Sequence, residues 1–319
     1  MIQSCQHNFS KVDITPDLNR RNVHVSQADI EHYQRHGYVI LRNILPKSVI
    51  EEGIDIYESW LPSFIQLWRE QKLFSGQLTS QTILEQFYEA WELSGRPMFR
   101  RQPFKNLINE AMYRYFKNPY FLSIAERLLG TTELSMHGVY NGRAQPPHSA
   151  WATPGWHQDA QFWDEDFGDE TDKARKTHVL ALWFPLHYVD EESGCLQVIS
   201  TEETQQQLFP HFPLDYDNTG FLGMDQDLAN TFPKEKFHMN PGDVLALSQI
   251  NLHKASENNA NHMRYSYDIR YENTNTRTTV GKKYGFIAQS LQDPASETPM
   301  EEWVKRRELF INWEKQNKK

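Results

Sequence analysis

The segment "GWHQDAQFWDED" at 155–166 sets His157 two residues before Asp159, with Trp156, Phe162 and Trp163 crowded around them. In an extended strand residues i and i+2 face the same way, so the pair presents an imidazole and a carboxylate to one side. That is half of a metal site. Alone it is thin support, because a chain with 13 histidines yields about one such pair from composition and a surface hydrogen bond explains it as well.

The other half lies in "NPGDVLALSQINLHKASENNANHMRYSYDIRYEN", residues 240–273: a turn, a strand, then His253, a polar loop, and a strand carrying Arg264 and Ser266. In that last strand Arg264, Ser266, Asp268 and Arg270 face one side, and Tyr265, Tyr267, Ile269 and Tyr271 the other. If the aromatic face packs on helices, the charged face points into the core, where unpaired charge is costly and an anion should meet it. Two histidines and one carboxylate, leaving open positions on one face of the metal, form the ligand set of a non-haem Fe(II) centre. Arg264 then forks onto the distal carboxylate of a 2-oxo acid, assisted by the Ser266 hydroxyl. A zinc hydrolase with the same three ligands competes with this reading, but it gives Arg264 and Ser266 nothing to do.

The elements that must position these groups follow from pattern. Ser26 caps an apolar-periodic segment that stops at Gly37, "YVILRNIL" reads as a strand, and Pro46 opens a helix over 46–68. Helices are expected at 80–93, 104–117 and 118–129, the last ending at Gly130. After Gly130 short β-branched and aromatic runs alternate with Pro, Gly and Asn, the texture of an antiparallel β architecture. Strands are expected near 132–141, 155–159, 179–188, 195–199, 236–239, 244–248, 263–272 and 283–288, and an amphipathic helix at 298–316. With no repeat or linker, 1–319 reads as one mostly β domain with flanking helices: an arm at 1–25, mainly helical support at 26–130 and a β-core at 131–290.

Composition narrows the function classes. At 39% hydrophobic and 24% charged residues the chain is neither disordered nor fibrous. A net charge of −9 without a dense basic stretch excludes a nucleic-acid partner. The longest apolar runs, such as "VLALWFPL", are strand-sized, and the amino terminus lacks an apolar signal region, so no membrane contact and a cytoplasmic location are expected. Only Cys5 and Cys195 are present, too few and too far apart for a disulfide framework or a thiolate zinc site.

Taken in order, "YQRHGYVILRNIL", "WHQD", "LALWFPLHYVDEESGCLQVIS", "PGDVLAL" and "LHKASENN" followed by "MRYSYDIRY", with Arg264 eleven residues after His253, form a joint pattern. From roughly Ser26 to Tyr271 the chain resembles the phytanoyl-CoA dioxygenase family of Fe(II)/2-oxoglutarate oxygenases. The resemblance implies a double-stranded β-helix, or jelly-roll, core; His157, Asp159 and His253 as iron ligands; Arg264 as the 2-oxoglutarate anchor; and O2 as the second co-substrate. The pattern of ectoine-hydroxylating members adds Asn141 and Trp163 as contacts near the co-substrate. Two positions depart from the family: Thr201-Glu202-Glu203 replaces a frequent Gly-Ser-His, and Gln145 replaces a frequent lysine. The carboxylate of Asp159 argues against the halogenating relatives, which carry a small residue there.

The activity implied is hydroxylation of an unactivated C–H bond of a small molecule, with release of succinate and CO2. The family spans several substrate classes, and the many helices before the core together with the acidic stretch fit a polar natural product, such as a deoxy-cylindrospermopsin. The same iron site can instead end in desaturation, cyclisation or epimerisation, and a non-catalytic binding or oxygen-sensing protein can keep the fold. Candidate pocket residues are His137, on the same predicted strand as Asn141, together with Trp151, Phe162, Asp164 and Asp166; ordinary core packing is the plainer reading of the first three. The acidic stretch 164–172 is either a solvated face or a rim attracting a cationic substrate.

Overall fold

The computed structural model describes residues 23–99, 108–163, 178–214 and 222–317. The expected arm at 1–25 and the acidic stretch, with Asp164 and Asp166, lie almost wholly or wholly outside these. Helix α1 (Gln27–His36) opens on a capping box in which Ser26 and Asp29 satisfy each other's backbone N–H, and it ends on Gly37 at φ +74°. A Cβ at Gly37 would fall 2.5 Å from Asn251 and Thr201, so the glycine also lets the helix end lie against the core. Strand β1 (Tyr38–Leu41) follows as expected. The single helix expected over 46–68 is two, α2 (Lys47–Glu58) and α3 (Leu61–Glu70). Pro62 is the cause: it has no N–H to continue the first helix and is accommodated only in the first turn of the second. Helices α4 (Ile83–Leu93), α5 (Glu110–Phe116) and α6 (Pro119–Leu129) complete the helical half.

The second half supplies the sheets. Strands β2 (Leu134–Met136), β3 (Asn141–Gln145), β4 (Val179–Pro185), β9 (Val244–Ser248), β11 (Arg264–Asn273) and β12 (Phe286–Gln289) join β1 in a seven-stranded sheet ordered β1-β9-β4-β11-β2-β12, with β3 also on β11. A smaller sheet, β10-β5-β8, is built from β5 (Leu196–Ile199), β8 (Glu235–Lys236) and β10 (Leu252–Ala255), and β6 (Phe212–Pro213) pairs with β7 (Leu222–Gly223). Short helices α7 (Gln226–Thr231) and α8 (Thr279–Tyr284) and the terminal α9 (Met300–Asn317) flank them. All ladder pairs are antiparallel. The result is the expected jelly-roll core with flanking helices.

Strand β11 shows how the two faces are used. Its outward Tyr265, Tyr267 and Tyr271 donate to the backbone carbonyls of Leu84, Gly53 and Phe116 at 2.8, 2.8 and 2.6 Å, tying the sheet to three helical segments. These buried phenols belong to the large apolar cluster between sheet and helices, so their hydroxyls need partners and find them on carbonyls. The inward face looks into a second cluster, including Ala181, Trp183, Leu196, Val198, Leu245 and Leu247, that fills the space between the sheets.

Several expected strands are shorter or broken: 179–188 ends at Pro185, and 236–239 gives only the Glu235–Lys236 strand and a single bridge at Met239. The 132–141 segment divides at Gly138, φ +90°, where a Cβ would meet the Tyr284 backbone at 2.5 Å. The start of the 283–288 segment is the end of α8. The 155–159 segment makes one bridge, His157 to His253, and then turns into a 3-10 helix over Asp159–Trp163. There Gln158 donates to the carbonyls of Gln207 and Ile250, holding the chain by a side chain where a ladder would have used backbone.

Candidate metal centre

His253 sits on β10, and its backbone exchanges two hydrogen bonds with His157, N to O at 3.0 and 3.2 Å. The bridge puts the two imidazoles side by side, ring centroids 4.2 Å apart. The Nδ1 of His157 lies 2.8 Å from the Gly155 carbonyl and that of His253 lies 3.1 Å from the Asn251 carbonyl. A carbonyl only accepts, so each Nδ1 carries the proton and each Nε2 keeps its lone pair. Asp159 follows at the start of the 3-10 turn, its Oδ1 4.0 Å from His253 Nε2. One ligand atom from each of His157, Asp159 and His253 lies within 4.8 Å of the others, and all three residues are buried.

The donor set fits a divalent cation. Burial and the neighbouring His253 push the His157 imidazole well below its usual pKa, so it is neutral and able to ligate. Burial pushes the Asp159 carboxyl upward, but Arg270 and the two histidines outweigh it and hold the group below its usual value, as an anion. Arg270 reaches Asp159 Oδ2 with Nε at 2.8 Å and Nη2 at 2.7 Å. Its Nη1 donates to Asp268 Oδ1, which also accepts from Asn141 Nδ2 at 2.7 Å, while Asp268 Oδ2 accepts from Arg143 Nε at 2.8 Å.

At the other end of the inward face of β11, Arg264 is 1% exposed, yet among the described residues only its donation from Nη1 to the Gly194 carbonyl, 3.0 Å, is formed. Its Nε and the Ser266 hydroxyl are buried without hydrogen-bond partners among the described residues. Burial, and then the nearby charge of Arg143, drive the Arg264 guanidinium down to about 9. Its ring-side neighbour is Trp183, whose centroid lies 5.4 Å from the guanidinium carbon. Arg264, the triad, Asp268 and Arg270 share one cleft, which encloses about 510 Å³ with the open solvent at its mouth included. Its walls include Ala181, Trp183, Leu196, Leu247 and Ala255. Arg143, Ala152 and Pro154 are its partly exposed lining residues.

A family model for phytanoyl-CoA dioxygenase (PhyH) matches residues 33–266. The chain belongs to the phytanoyl-CoA dioxygenase family. A probable phytanoyl-CoA dioxygenase of Caenorhabditis elegans is 21% identical over 271 residues, covering 81% of this chain and 78% of its own. The apo structure of the non-heme monooxygenase ThoJ has a TM-score of 0.54 at 17% identity, covering 90% of this chain and 99% of its own, a likeness of fold. EvdO2 from Micromonospora carbonacea var. aurantiaca, solved with 2-oxoglutarate, has a TM-score of 0.49 at 20% identity and covers 79% and 92%. As a member of the family this chain is a non-haem iron- and 2-oxoglutarate-dependent oxygenase that uses O2.

The remaining expected site residues scatter. Asn141 holds Asp268 and does not line the cleft. Trp163 ends the 3-10 turn, and its side chain lies outside the described part. Phe162 is exposed, its ring edge-on to His157 with centroids 5.8 Å apart. Trp151 packs edge-on against Phe99, centroids 5.2 Å apart, among the helices. His137 is fully buried against Thr278, 3.0 Å from its hydroxyl, because the turn at Gly138 removes it from the face that Asn141 occupies. The departures from the family are used structurally. Thr201 donates its backbone N–H to the His36 carbonyl and Glu202 pairs with Arg35, so this stretch docks α1; Gln145 donates to Thr153 and to the Ser256 carbonyl. Asp268 and Arg270 were visible as charged residues of one strand face, but their grip on Asp159 required the fold. Among the described residues no helix is long and apolar enough to cross a membrane.

Proposed function

We propose that this oxygenase hydroxylates an unactivated C–H bond of a small polar natural product, with His157, Asp159 and His253 holding the iron and Arg264 with Ser266 anchoring 2-oxoglutarate. One observation carries the reading: a buried arginine short of partners among the described residues lines the same cleft as a His-Asp-His cluster, and two residues along the same strand the Ser266 hydroxyl is buried and equally short of one. Iron with 2-oxoglutarate supplies the oxidising power, consuming O2 and releasing succinate and CO2. The chain's own residues do the rest. The two Nε2 atoms and Asp159 Oδ1 hold the cation, and the Arg264 fork and Ser266 hydroxyl fix the far carboxylate of the 2-oxo acid. Leu196, Leu247, Ala181 and Ala255 keep water from the cleft, which protects a strong oxidant and strengthens the polar contacts inside it. The substrate enters past Arg143, Ala152 and Pro154. Desolvated walls beside a charged strand face suit a compact molecule carrying both apolar and polar groups.

The test is 2-oxoglutarate-dependent succinate release by anaerobically purified protein given Fe(II), then O2, with polar natural products, a deoxy-cylindrospermopsin first among them, as substrates. Hydroxylated product and one succinate per product support the reading. A His253→Ala protein that retains both iron and turnover refutes the ligand assignment.

A further inference from the structure

We infer that Arg270, braced by Asp268, restricts Asp159 to ligation through a single oxygen and so keeps three metal positions free for the 2-oxo acid and O2. The inference rests on the metal site proposed above. A carboxylate offers two oxygens, and nothing in its chemistry stops both from binding one cation. Here Oδ2 accepts from Nε and Nη2 of Arg270 at 2.8 and 2.7 Å, which occupies its lone pairs in the plane of the carboxylate. Oδ1 is the oxygen turned toward the histidines, 4.0 Å from His253 Nε2.

The count of positions shows why this matters. A six-coordinate metal held by two imidazoles and one carboxylate oxygen has three positions left. A chelating 2-oxo acid takes two of them and leaves one. If Asp159 bound through both oxygens, the 2-oxo acid would fill the shell, and O2 could enter only by displacing a ligand.

Arg270 can do this only if it does not swing, and three acceptors hold it. Its Nη1 donates to Asp268 Oδ1 and lies 3.5 Å from the Val139 carbonyl, while the Nε and Nη2 edge faces Asp159. Asp268 is in turn fixed by Asn141 Nδ2 at 2.7 Å and Arg143 Nε at 2.8 Å. Strand register makes this possible: Asp268 stands opposite Asn141 on β3 and Trp183 on β4, and Arg270 lies two residues further along the same inward face of β11. Arg143, Asp268, Arg270 and Asp159 thus alternate in sign, and the last three are all at most 5% exposed. Lysine in place of Arg270 would keep the charge but lose the fork that serves both carboxylates.

The experiment uses the full chain, loaded anaerobically with Co(II), and compares wild type with Arg270→Gln, Arg270→Lys and Asp268→Asn. The readouts are the visible ligand-field spectrum of Co(II), its binding constant, and the binding constant of 2-oxoglutarate to the Co(II) protein. The expected result for Arg270→Gln is retained Co(II), a spectrum altered before 2-oxoglutarate is added, and 2-oxoglutarate binding weakened by about tenfold or more. Asp268→Asn, which loosens the far side of Arg270 without removing it, should move all three in the same direction by less, and Arg270→Lys should fall between. A wild-type spectrum and wild-type 2-oxoglutarate binding in folded Arg270→Gln overturn the inference, as does loss of Co(II) from the folded variant, which would make Arg270 necessary for ligation and not a limit on it. Should Arg270→Gln fail to fold, Asp268→Asn with an unchanged spectrum overturns it. If wild type itself binds neither metal nor 2-oxoglutarate, the fault lies in the proposed site and not in the role of Arg270.

Discussion

Replacing Arg264 with Met should stabilise the protein in the absence of 2-oxoglutarate and abolish the stabilisation that 2-oxoglutarate gives. The buried guanidinium is pushed far below its ordinary value, down to about 9, first by burial and then by Arg143. A depression of that size corresponds to about 5 kcal/mol against the charged form. Since the folded pKa lies below the unfolded one, the unfolded chain binds more protons at pH values above about 9, so the penalty is fully present below 9 and relieved only as pH rises beyond it. Methionine removes the charge but forfeits the bond to the Gly194 carbonyl, about 2 kcal/mol, and the contact with Trp183, about 1 kcal/mol. The balance is about 2 kcal/mol in favour of the variant, or roughly 3 °C in melting temperature for a chain of this size. In wild type a ligand at a hundredfold excess over its Kd adds about 2.7 kcal/mol by mass action. Thermal melts of metal-loaded protein with and without 2-oxoglutarate at pH 7 read both quantities. An Arg264→Met protein that melts below wild type without ligand, or that keeps the full ligand-induced shift, would refute the argument that this charge awaits an anion.

Further outcomes are specific to other residues. His253→Ala should weaken Co(II) binding at least ~10²-fold by calorimetric titration, since a ligand is removed and not merely a group that orients one. Ser266→Ala should raise the 2-oxoglutarate KM about fivefold with kcat little changed, the effect of one hydrogen bond of about 1 kcal/mol. Tyr267→Phe should lower stability by about 1 kcal/mol in urea titration through the lost bond to Gly53, and leave the KM for 2-oxoglutarate as in wild type. Burial, and then Arg270, lower His137 to about 3, so the folded imidazole stays neutral while the unfolded one takes a proton near 6.5. Stability should therefore be full above 6.5 and fall as pH drops toward 3, and His137→Gln should flatten that part of the urea-derived pH profile.

The strands were legible where one face is apolar and the other is not. Val244–Ser248 and the long β11 read directly, because "VLALS" follows a Pro-Gly-Asp turn and "RYSYDIRY" alternates without a fault. Periodicity failed where side chains took over the work of backbone. The 155–159 stretch has the residues of a strand, yet Gln158 holds it to the Gln207 and Ile250 carbonyls and Asp159 starts a turn. Strand β10 was hidden for the opposite reason: "LHKA" is too short to show alternation, and only pairing with β5 makes it a strand.

For the site, the residue types were enough to single out His157, Asp159 and His253, and the fold brings these three together. What escaped was how Asp159 is held. Arg270 lies 111 residues away from it, and its charge was assigned to an inward face that needed some anion. Half of that need is met inside the protein, by Asp159 and Asp268, and only Arg264 is left short. A strand face with two arginines and one aspartate therefore does not by itself count the ligands it awaits. The fold makes the subtraction: each charge that finds an internal partner becomes part of the scaffold, and the one that does not is where we propose that the co-substrate binds.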